Sequence, residues 1–156
     1  MNFKTKKMKV VLIILVGIAV YFLLFRYPSV DFNVDAPDGI QFHKGSWQQV
    51  IEKAQQENKI IFLDMYATWC GPCKRLKSKT FASQDVGNYF NQHFINVAFD
   101  AEEGEGLELA EKYGVVEYPT LLFINPQGEV VFSTVGYHDS TELIGVGKSV
   151  KAKSNI

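Results

Sequence analysis

The segment "YATWCGPCKRLKS", residues 66–78, contains Cys70 and Cys73, the only two cysteines of this 156-residue chain. It continues from "IIFLDMY" (60–66), an apolar run of strand length that contains one acidic residue. Such a run is typical of a strand that is covered on both faces of a sheet. The Gly-Pro dipeptide between the cysteines stands where a helix would begin, since proline is tolerated in a first helical turn. The segment therefore predicts a cysteine pair at the junction of a buried strand and a helix.

A cysteine pair of this spacing could be a structural disulfide, half of a metal site or a redox centre. Two intervening residues close a very small loop, for which loop-closure entropy gives a structural disulfide little stabilising value. A zinc site needs about four ligands, but there is no second cysteine pair, and His43, His93 and His138 show no ligand spacing. We therefore expect a redox disulfide, with no metal and no cofactor.

The two cysteines are expected to have different roles. A thiolate rather than a thiol attacks a disulfide, so one cysteine must ionise near neutral pH. Cys70 precedes the helix, where the dipole and free backbone N–H groups favour an anion, and Lys74 and Arg75 add positive charge. Cys73 lies one turn into the helix and is expected to be more enclosed. We predict that Cys70 attacks and that Cys73 resolves the mixed disulfide.

Asp64 and Pro119 are further candidates, and the residues alone leave two interpretations of each. Asp64 interrupts the apolar strand, where a buried charge is costly. It is either a strand-edge residue with its carboxylate in water or a buried acid with a raised pKa that accepts the proton of Cys73. Pro119 precedes a predicted strand, where it forms either a cis peptide bond that turns the backbone sharply or an ordinary trans bond.

The amino-terminal part of the chain predicts a membrane anchor. "VVLIILVGIAVYFLLF" (10–25) is uncharged and lies between Lys9 and Arg26. As a helix it would be about 24 Å long, slightly shorter than the roughly 30 Å hydrocarbon core of a bilayer. A cleaved signal peptide is the alternative, but the run is longer than usual for one and no small-x-small cleavage site follows it. Because four lysines precede the run, we expect an uncleaved signal anchor with a cytoplasmic amino terminus and an exported domain.

Composition and charge divide the chain into five parts. The first 26 residues have five basic and no acidic side chains, which leaves 11 basic and 17 acidic ones for the rest. An acidic domain without a basic patch argues against nucleic acid as a partner. The expected parts are a cytoplasmic amino terminus (1–9), a transmembrane signal anchor (10–26), a linker (27–39), a globular domain (40–151) and a carboxyl-terminal tail (152–156).

The globular part predicts alternating strands and helices. Predicted strands cover residues 40–43, 60–66, 94–100, 120–124 and 130–135. Predicted helices start after Ser46, follow the cysteine motif, and cover residues 83–93, 106–114 and 140–151. Strands that alternate with helices predict a mainly parallel sheet, and the last two strands form an antiparallel hairpin across "NPQGE". The expected fold class is α/β with a mixed central sheet flanked by helices.

These motifs together resemble the thioredoxin superfamily over roughly residues 40–150. The matching features, in order along the chain, are Asp64, "WCGPCK" (69–74) and "YPT" (118–120). The resemblance implies the thioredoxin fold, a nucleophilic Cys70, a resolving Cys73, and Asp64 as the buried acid. It also implies that Pro119 is a cis proline that shapes a substrate groove. The expected substrate-binding residues are Trp69, Gly71, Pro72, Tyr118 and Pro119.

The segment "FLDMYATWCGPCKRLKSKTFASQDV" (62–86) is similar to the carboxyl-terminal thioredoxin-like domain of the exported disulfide reductase DsbD. Two departures stand out. One span is found here where that subgroup has a multi-span, electron-delivering membrane domain. Asn96 also occupies the position at which thioredoxin carries a lysine near its buried acid, although Asp100 fits the pattern that follows.

From this resemblance we expect a membrane-anchored, exported thiol–disulfide oxidoreductase that mainly reduces protein disulfides. Its domain would lie on the periplasmic side of the inner membrane, and a membrane protein would supply its electrons. One alternative is a dedicated reductase for a client such as apocytochrome c, but the usual insertion is not found between residues 94 and 120. The other is a non-catalytic binding or chaperone module, against which both cysteines and Asp64 argue.

Overall fold

The computed structural model describes residues 3–24 and 30–154. Its helices are α1 (Phe3–Leu24), α2 (Trp47–Glu57), α3 (Gly71–Arg75), α4 (Gln84–His93), α5 (Gly104–Tyr113) and α6 (Ser140–Ser154). Its strands are β1 (Ile60–Tyr66), β2 (Phe94–Asp100), β3 (Thr120–Ile124) and β4 (Val130–Val135). In these described residues the strands form one four-stranded sheet in the order β2-β1-β3-β4. β1 pairs with β2 in parallel and with β3 antiparallel, and β3 pairs with β4 antiparallel. The expected mixed sheet flanked by helices is confirmed.

The predicted first strand, residues 40–43, is wrong. Its backbone N–H groups do not form a ladder with a neighbouring strand: that of Ile40 donates to the carbonyl oxygen of Phe81 at 2.8 Å, and the next two donate to side chains. The N–H of Gln41 donates to Asn91 Oδ1 and that of Phe42 to Asp35 Oδ2. Only the N–H of His43 reaches β2 in this segment, where it donates to the carbonyl oxygen of Asn96 at 2.8 Å. A single bond of this kind does not make a ladder.

β1 is buried along its whole length, as its apolar run predicts. Because alternate residues of a strand point to opposite faces, its side chains form two sets. The set that includes Leu63 joins apolar side chains of α2 and α5 in one cluster. Phe62 points to the other face, where it packs with the rings of Phe81, Phe90 and Phe123. Asp64 lies on the same face as Phe62, two residues nearer the cysteine motif.

Capping residues set the ends of the helices around the sheet. The Ser46 side chain accepts from the backbone N–H of Gln49, whose own side chain accepts from the Ser46 N–H, so the two form a capping box. Gly114 ends α5 with a φ of 66°, a left-handed conformation that favours glycine. The predicted helix after the motif is α-helical only in α3. It continues as a π-helical turn, Leu76–Thr80, which buries Leu76 and Lys77.

Residues 30–39, here called the strap, lie against the domain. The sequence assigned them to a linker. The ring of Phe32 stacks on the ring of Tyr66, with centroids 4.0 Å apart and planes 5° apart. At the other end of the strap, Gly39 approaches Gly87 of α4 so closely that a side chain on Gly87 would meet its backbone. The strap is therefore packed on the same face of the sheet as Phe62.

Helix α1 contains residues 10–24 of the apolar run, and its described apolar side chains, such as Leu12 and Ile13, are exposed. Among the residues that the structure describes, no helix is both long and apolar enough to cross a membrane. The end of the predicted anchor, residues 25 and 26, lies outside the described residues. The anchor therefore stays a prediction.

Two helical glycines test the packing of the strap. An added methyl group at Gly145 in α6 would meet no atom within 4 Å, whereas one at Gly87 would lie 2.4 Å from the carbonyl oxygen of Asp38. We expect Gly145→Ala to raise the free energy of unfolding by about 0.5–1 kcal/mol, because alanine is the better helix former. Gly87→Ala should lower it by about 1–3 kcal/mol through overpacking. Urea unfolding of the full-length protein in detergent measures both, and equal stabilisation by both would contradict the packing of the strap.

Candidate active site

The two cysteines form a disulfide at the start of α3. Their sulfur atoms are 2.11 Å apart. Cys70 is the N-cap residue of α3, and its sulfur accepts a hydrogen bond from the backbone N–H of Cys73 at 3.1 Å. A free backbone N–H at a helix start stabilises a thiolate in the same place. The geometry is therefore compatible with Cys70 as the attacking sulfur, a role that stays a prediction.

Both cysteines are buried to nearly the same extent. The exposed fraction is 3% for Cys70 and 1% for Cys73, a smaller difference than the sequence suggests. They share a small cluster with Phe32, Tyr66 and Ala67, and Tyr118 packs against it. The position of Cys70 at the cap, rather than its exposure, distinguishes the two sulfur atoms.

Asp64 is a buried acid, so the strand-edge interpretation is wrong. The residue is 2% exposed, and its Oδ1 atom has no hydrogen-bond partner among the described residues. Burial raises the pKa of Asp64 to about 7, and the positive charge of Lys77 opposes this rise. A carboxyl group with such a pKa can gain or lose a proton near neutral pH. Its proposed role as acceptor of the Cys73 proton stays a prediction.

Lys77 and Asp35 form an ion pair that the sequence interpretation missed. Lys77 Nζ lies 2.6 Å from Asp35 Oδ1, with side chains 8% and 10% exposed. Burial would raise the pKa of Asp35, but the hydrogen bonds from Lys77 and from the Phe42 N–H, with the charges of Lys77 and Lys44, lower it overall. The partners are 42 positions apart, and no spacing rule connects such residues.

The cation near Asp64 comes from an unexpected element. The sequence predicted that this chain departs from thioredoxin near the buried acid, with Asn96 in place of a lysine. Asn96 lies on β2 opposite Phe62. Asn96 donates through Nδ2 to Asn91 Oδ1 at 3.1 Å and supplies no charge. Lys77, from the π-helical turn after α3, supplies the charge that acts on Asp64 instead.

The expected substrate-binding residues lie around the disulfide. Trp69 is 66% exposed, and its Nε1 donates to Glu102 Oε2 at 2.9 Å. Its ring stands edge-on to Tyr118, with centroids 6.2 Å apart. The peptide bond between Tyr118 and Pro119 is cis. The structure thus brings Trp69 and Tyr118 together beside the cysteines, and the hydrogen bond from Trp69 to Glu102 was not among the sequence predictions.

A separate groove of about 470 Å³ lies beside the motif and is lined by Gly71 and Pro72. Basic side chains and one tyrosine form much of the rest of its lining: Lys74, Arg75, Lys79 and Tyr137. The Arg75 guanidinium stands over the Tyr137 ring at 4.3 Å from its centroid. The positive charge expected near Cys70 is therefore partly directed toward this groove.

Comparison with known proteins supports this assignment of the fold and the site. Residues 47–151 match a family model described as a thioredoxin-like domain. The chain is 30% identical over 94 residues to the thiol:disulfide interchange protein DsbD of Yersinia pestis, covering 58% of this chain and 16% of that protein. It is 36% identical over 90 residues to thioredoxin H4 of Arabidopsis thaliana, covering 58% of this chain and 71% of that protein. The match therefore spans about a sixth of the DsbD protein's length.

Solved structures show the same fold. A Bacteroides thetaiotaomicron protein, described as a candidate disulphide-isomerase, is 49% identical, with a TM-score of 0.64 over 78% of this chain and 98% of that chain. The carboxyl-terminal domain of DsbD from Neisseria meningitidis, in its oxidised form, is 20% identical with a TM-score of 0.56, covering 65% of this chain and 90% of that chain. At 20% identity the second similarity concerns the fold alone.

The buried carboxyl group of Asp64 makes stability depend on pH. Between about pH 4, where an unfolded aspartate ionises, and about pH 7, the folded state holds a proton that the unfolded state releases. The free energy of unfolding therefore falls as the pH rises through this window. Asp64→Asn removes the loss, so its stability relative to the unmodified protein should increase from pH 5 to pH 8.5 by about 2.5–3 kcal/mol. Denaturant unfolding of the oxidised full-length protein at both values measures the change.

The control variant for this experiment is Asp38→Asn, which alters an exposed aspartate of the strap. Its stability difference from the unmodified protein should stay constant between the two pH values. A constant difference for Asp64→Asn as well would contradict a buried Asp64 with a raised pKa.

Proposed function

The chain belongs to the thioredoxin-like family and is a thiol–disulfide oxidoreductase, and we propose that it reduces disulfide bonds of proteins outside the cytoplasm. The observation that carries this proposal is the Cys70–Cys73 disulfide at the start of α3, with the buried acid Asp64 on the preceding strand. The similar proteins include one described as a thiol:disulfide interchange protein and one described as a thioredoxin. Protein disulfides are therefore the substrate class.

The proposed reaction exchanges one disulfide for another. The Cys70 thiolate attacks a substrate disulfide, one substrate sulfur leaves as a thiolate, and a mixed disulfide forms between Cys70 and the other. Asp64 accepts the proton of Cys73, whose sulfur then attacks Cys70 and releases the second substrate sulfur. The substrate gains two electrons, and its two thiolates take up the proton that Asp64 received from Cys73 and the one that Cys70 released to solvent on ionising. The chain is left with the disulfide found in the structure.

The reducing direction rests on the Gly-Pro dipeptide between the cysteines. This is the dipeptide of thioredoxin, whose potential is about −270 mV, whereas the strong oxidant DsbA has one of about −120 mV. Each turnover oxidises the pair, so continued reduction requires a donor of two electrons. We propose that this donor is a membrane protein, since the chain itself is proposed to be anchored in the inner membrane.

The proposed anchor is the apolar run of residues 10–25. Apolar side chains of α1 that would need cover in water, such as Leu12 and Ile13, are exposed. The lysines before the run favour a cytoplasmic amino terminus. These features support a single span with the catalytic domain on the periplasmic side.

Trapping of mixed disulfides tests the catalytic roles. Cys73→Ser removes the resolving sulfur, so Cys70 should remain bonded to its substrates in cells. We expect partner bands that disappear on reduction, and no such bands for Cys70→Ser. The redox potential of the unmodified pair, measured against glutathione buffers, should lie nearer −270 mV than −120 mV. Absence of any trapped partner would favour a non-catalytic binding module, and a potential near −120 mV would contradict the reducing direction.

Membrane extraction tests the anchor. The full-length protein should stay in the membrane pellet after extraction at alkaline pH, and a version without residues 2–26 should be soluble. An export-dependent reporter fused after residue 156 should be active. Recovery of a shortened protein in the soluble fraction would instead indicate a cleaved signal peptide, and a reporter active only in the cytoplasm would overturn the proposed location.

A further inference from the structure

We propose that the buried ion pair between Asp35 and Lys77 is a positioning element through which the strap sets the charge around Asp64. Its effect on catalysis, the pH at which Cys73 becomes a nucleophile, rests on the proposed function. Its effect on the protonation of Asp64 does not. Both residues lie outside "WCGPCK" (69–74), the motif that contains the two cysteines.

Both carboxylate oxygens of Asp35 have a partner, one of which is Lys77. Oδ1 lies 2.6 Å from Lys77 Nζ, and Oδ2 accepts the backbone N–H of Phe42 at 2.9 Å. The ammonium group also stands 4.8 Å from the centroid of the Phe42 ring. In an Asp35→Asn variant the side-chain oxygen can still accept from Lys77, and the Phe42 ring remains beside the ammonium group, so the lysine keeps its place while the negative charge is lost.

The strap contacts the redox centre at a second point. Phe32 stacks on Tyr66 and belongs to the cluster that contains Cys70 and Cys73. Tyr66 and Asp64 are on the same face of β1, two residues apart. Residues 32–35 of the strap therefore contact both Tyr66, which packs beside the disulfide, and Lys77, whose charge acts on Asp64.

Lys77 is the cation whose charge acts on the Asp64 carboxyl group. Its charge is the one that lowers the pKa of Asp64 against the effect of burial. β3 places Leu121 opposite Asp64, and α6 contributes Leu143 to this side of the core. Tyr66 on β1 is the next titratable group on this face, and the charges of Asp100 on β2, Glu103 and Asp31 act on it. Cys73 on α3 is held in the disulfide, and the ring of His138 bonds to Thr134 on β4.

The sign of each charge predicts opposite effects for the two partners. Loss of the Lys77 charge removes the attraction that favours the Asp64 carboxylate, so the pKa of Asp64 should rise. Loss of the Asp35 charge removes the negative charge that offsets Lys77. The Lys77 charge then favours the Asp64 carboxylate more strongly, so the pKa of Asp64 should fall. A purely structural role for the pair does not predict opposite directions.

The experiment compares Lys77→Met with Asp35→Asn in the oxidised full-length protein in detergent micelles. The pKa of Asp64 is read from the pH dependence of its carboxyl carbon signal by nuclear magnetic resonance. We expect a shift of about 0.5–1 pH unit or more upward for Lys77→Met and downward for Asp35→Asn. Lys77→Arg, which keeps the charge, should restore most of the original value.

Lys44→Met is the matched control, because Lys44 also contacts Asp35, at 3.4 Å, but is 53% exposed. It should leave the pKa of Asp64 unchanged. If a single variant does not fold, the Asp35→Asn/Lys77→Met double variant removes both charges, and its Asp64 pKa should be higher than in the unmodified protein. Three results would each overturn the proposal. The Asp64 pKa could shift in the same direction in both single variants, it could shift in neither, or it could be unchanged in the double variant.

The kinetic consequence is measured separately. In single-turnover reduction of insulin by the reduced protein, the pH profile of mixed-disulfide release should move up for Lys77→Met and down for Asp35→Asn. If the unmodified protein does not reduce insulin while the pKa shifts are still opposite, the proposed function fails and the positioning role stands. If it reduces insulin but the variants share one profile and one Asp64 pKa, the positioning role fails alone.

Discussion

A carboxyl group lies inside a strand that is buried along its whole length, where an ionised side chain is unfavourable. Asp64 lies between Ala98 of β2 and Leu121 of β3 and is 2% exposed, so little water can solvate its charge. Its pKa of about 7, which lets it gain or lose a proton near neutral pH, follows from this burial. The same strand leads directly into the N-cap of α3, so the buried acid and the disulfide are placed by one continuous segment of backbone.

The charge near this acid is controlled by parts of the chain that are distant in sequence. Lys77 comes from the turn after α3, and Asp35 comes from the strap that precedes the domain. The strap also places Phe32 against Tyr66, next to the cysteines. The segment that directly follows the proposed anchor in sequence is therefore also the one that contacts the redox centre.

Local patterns predicted the parts of the fold that depend on local interactions. The apolar run of β1, the capping residues of α2 and α5, and the hairpin of β3 and β4 each have a cause within a few residues. Residues 40–43 have a strand-like pattern, yet their N–H groups donate to four separate partners: Phe81, Asn91, Asp35 and Asn96 of β2. Those partners lie elsewhere in the chain, so no local pattern contains them. The switch to a π-helical turn after α3 likewise had no local signal.

By itself the sequence determined the family, the mixed sheet, and a cysteine pair at a strand–helix junction with an acid six residues upstream. These features depend on residue types at short spacing, where hydrophobic periodicity and backbone preference act directly. Only the tertiary structure decided that Asp64 is buried, that Lys77 supplies its nearby cation, and that residues 30–39 pack on the domain. Burial and charge at a site depend on which distant segments exclude water from it, and that is a property of the assembled fold.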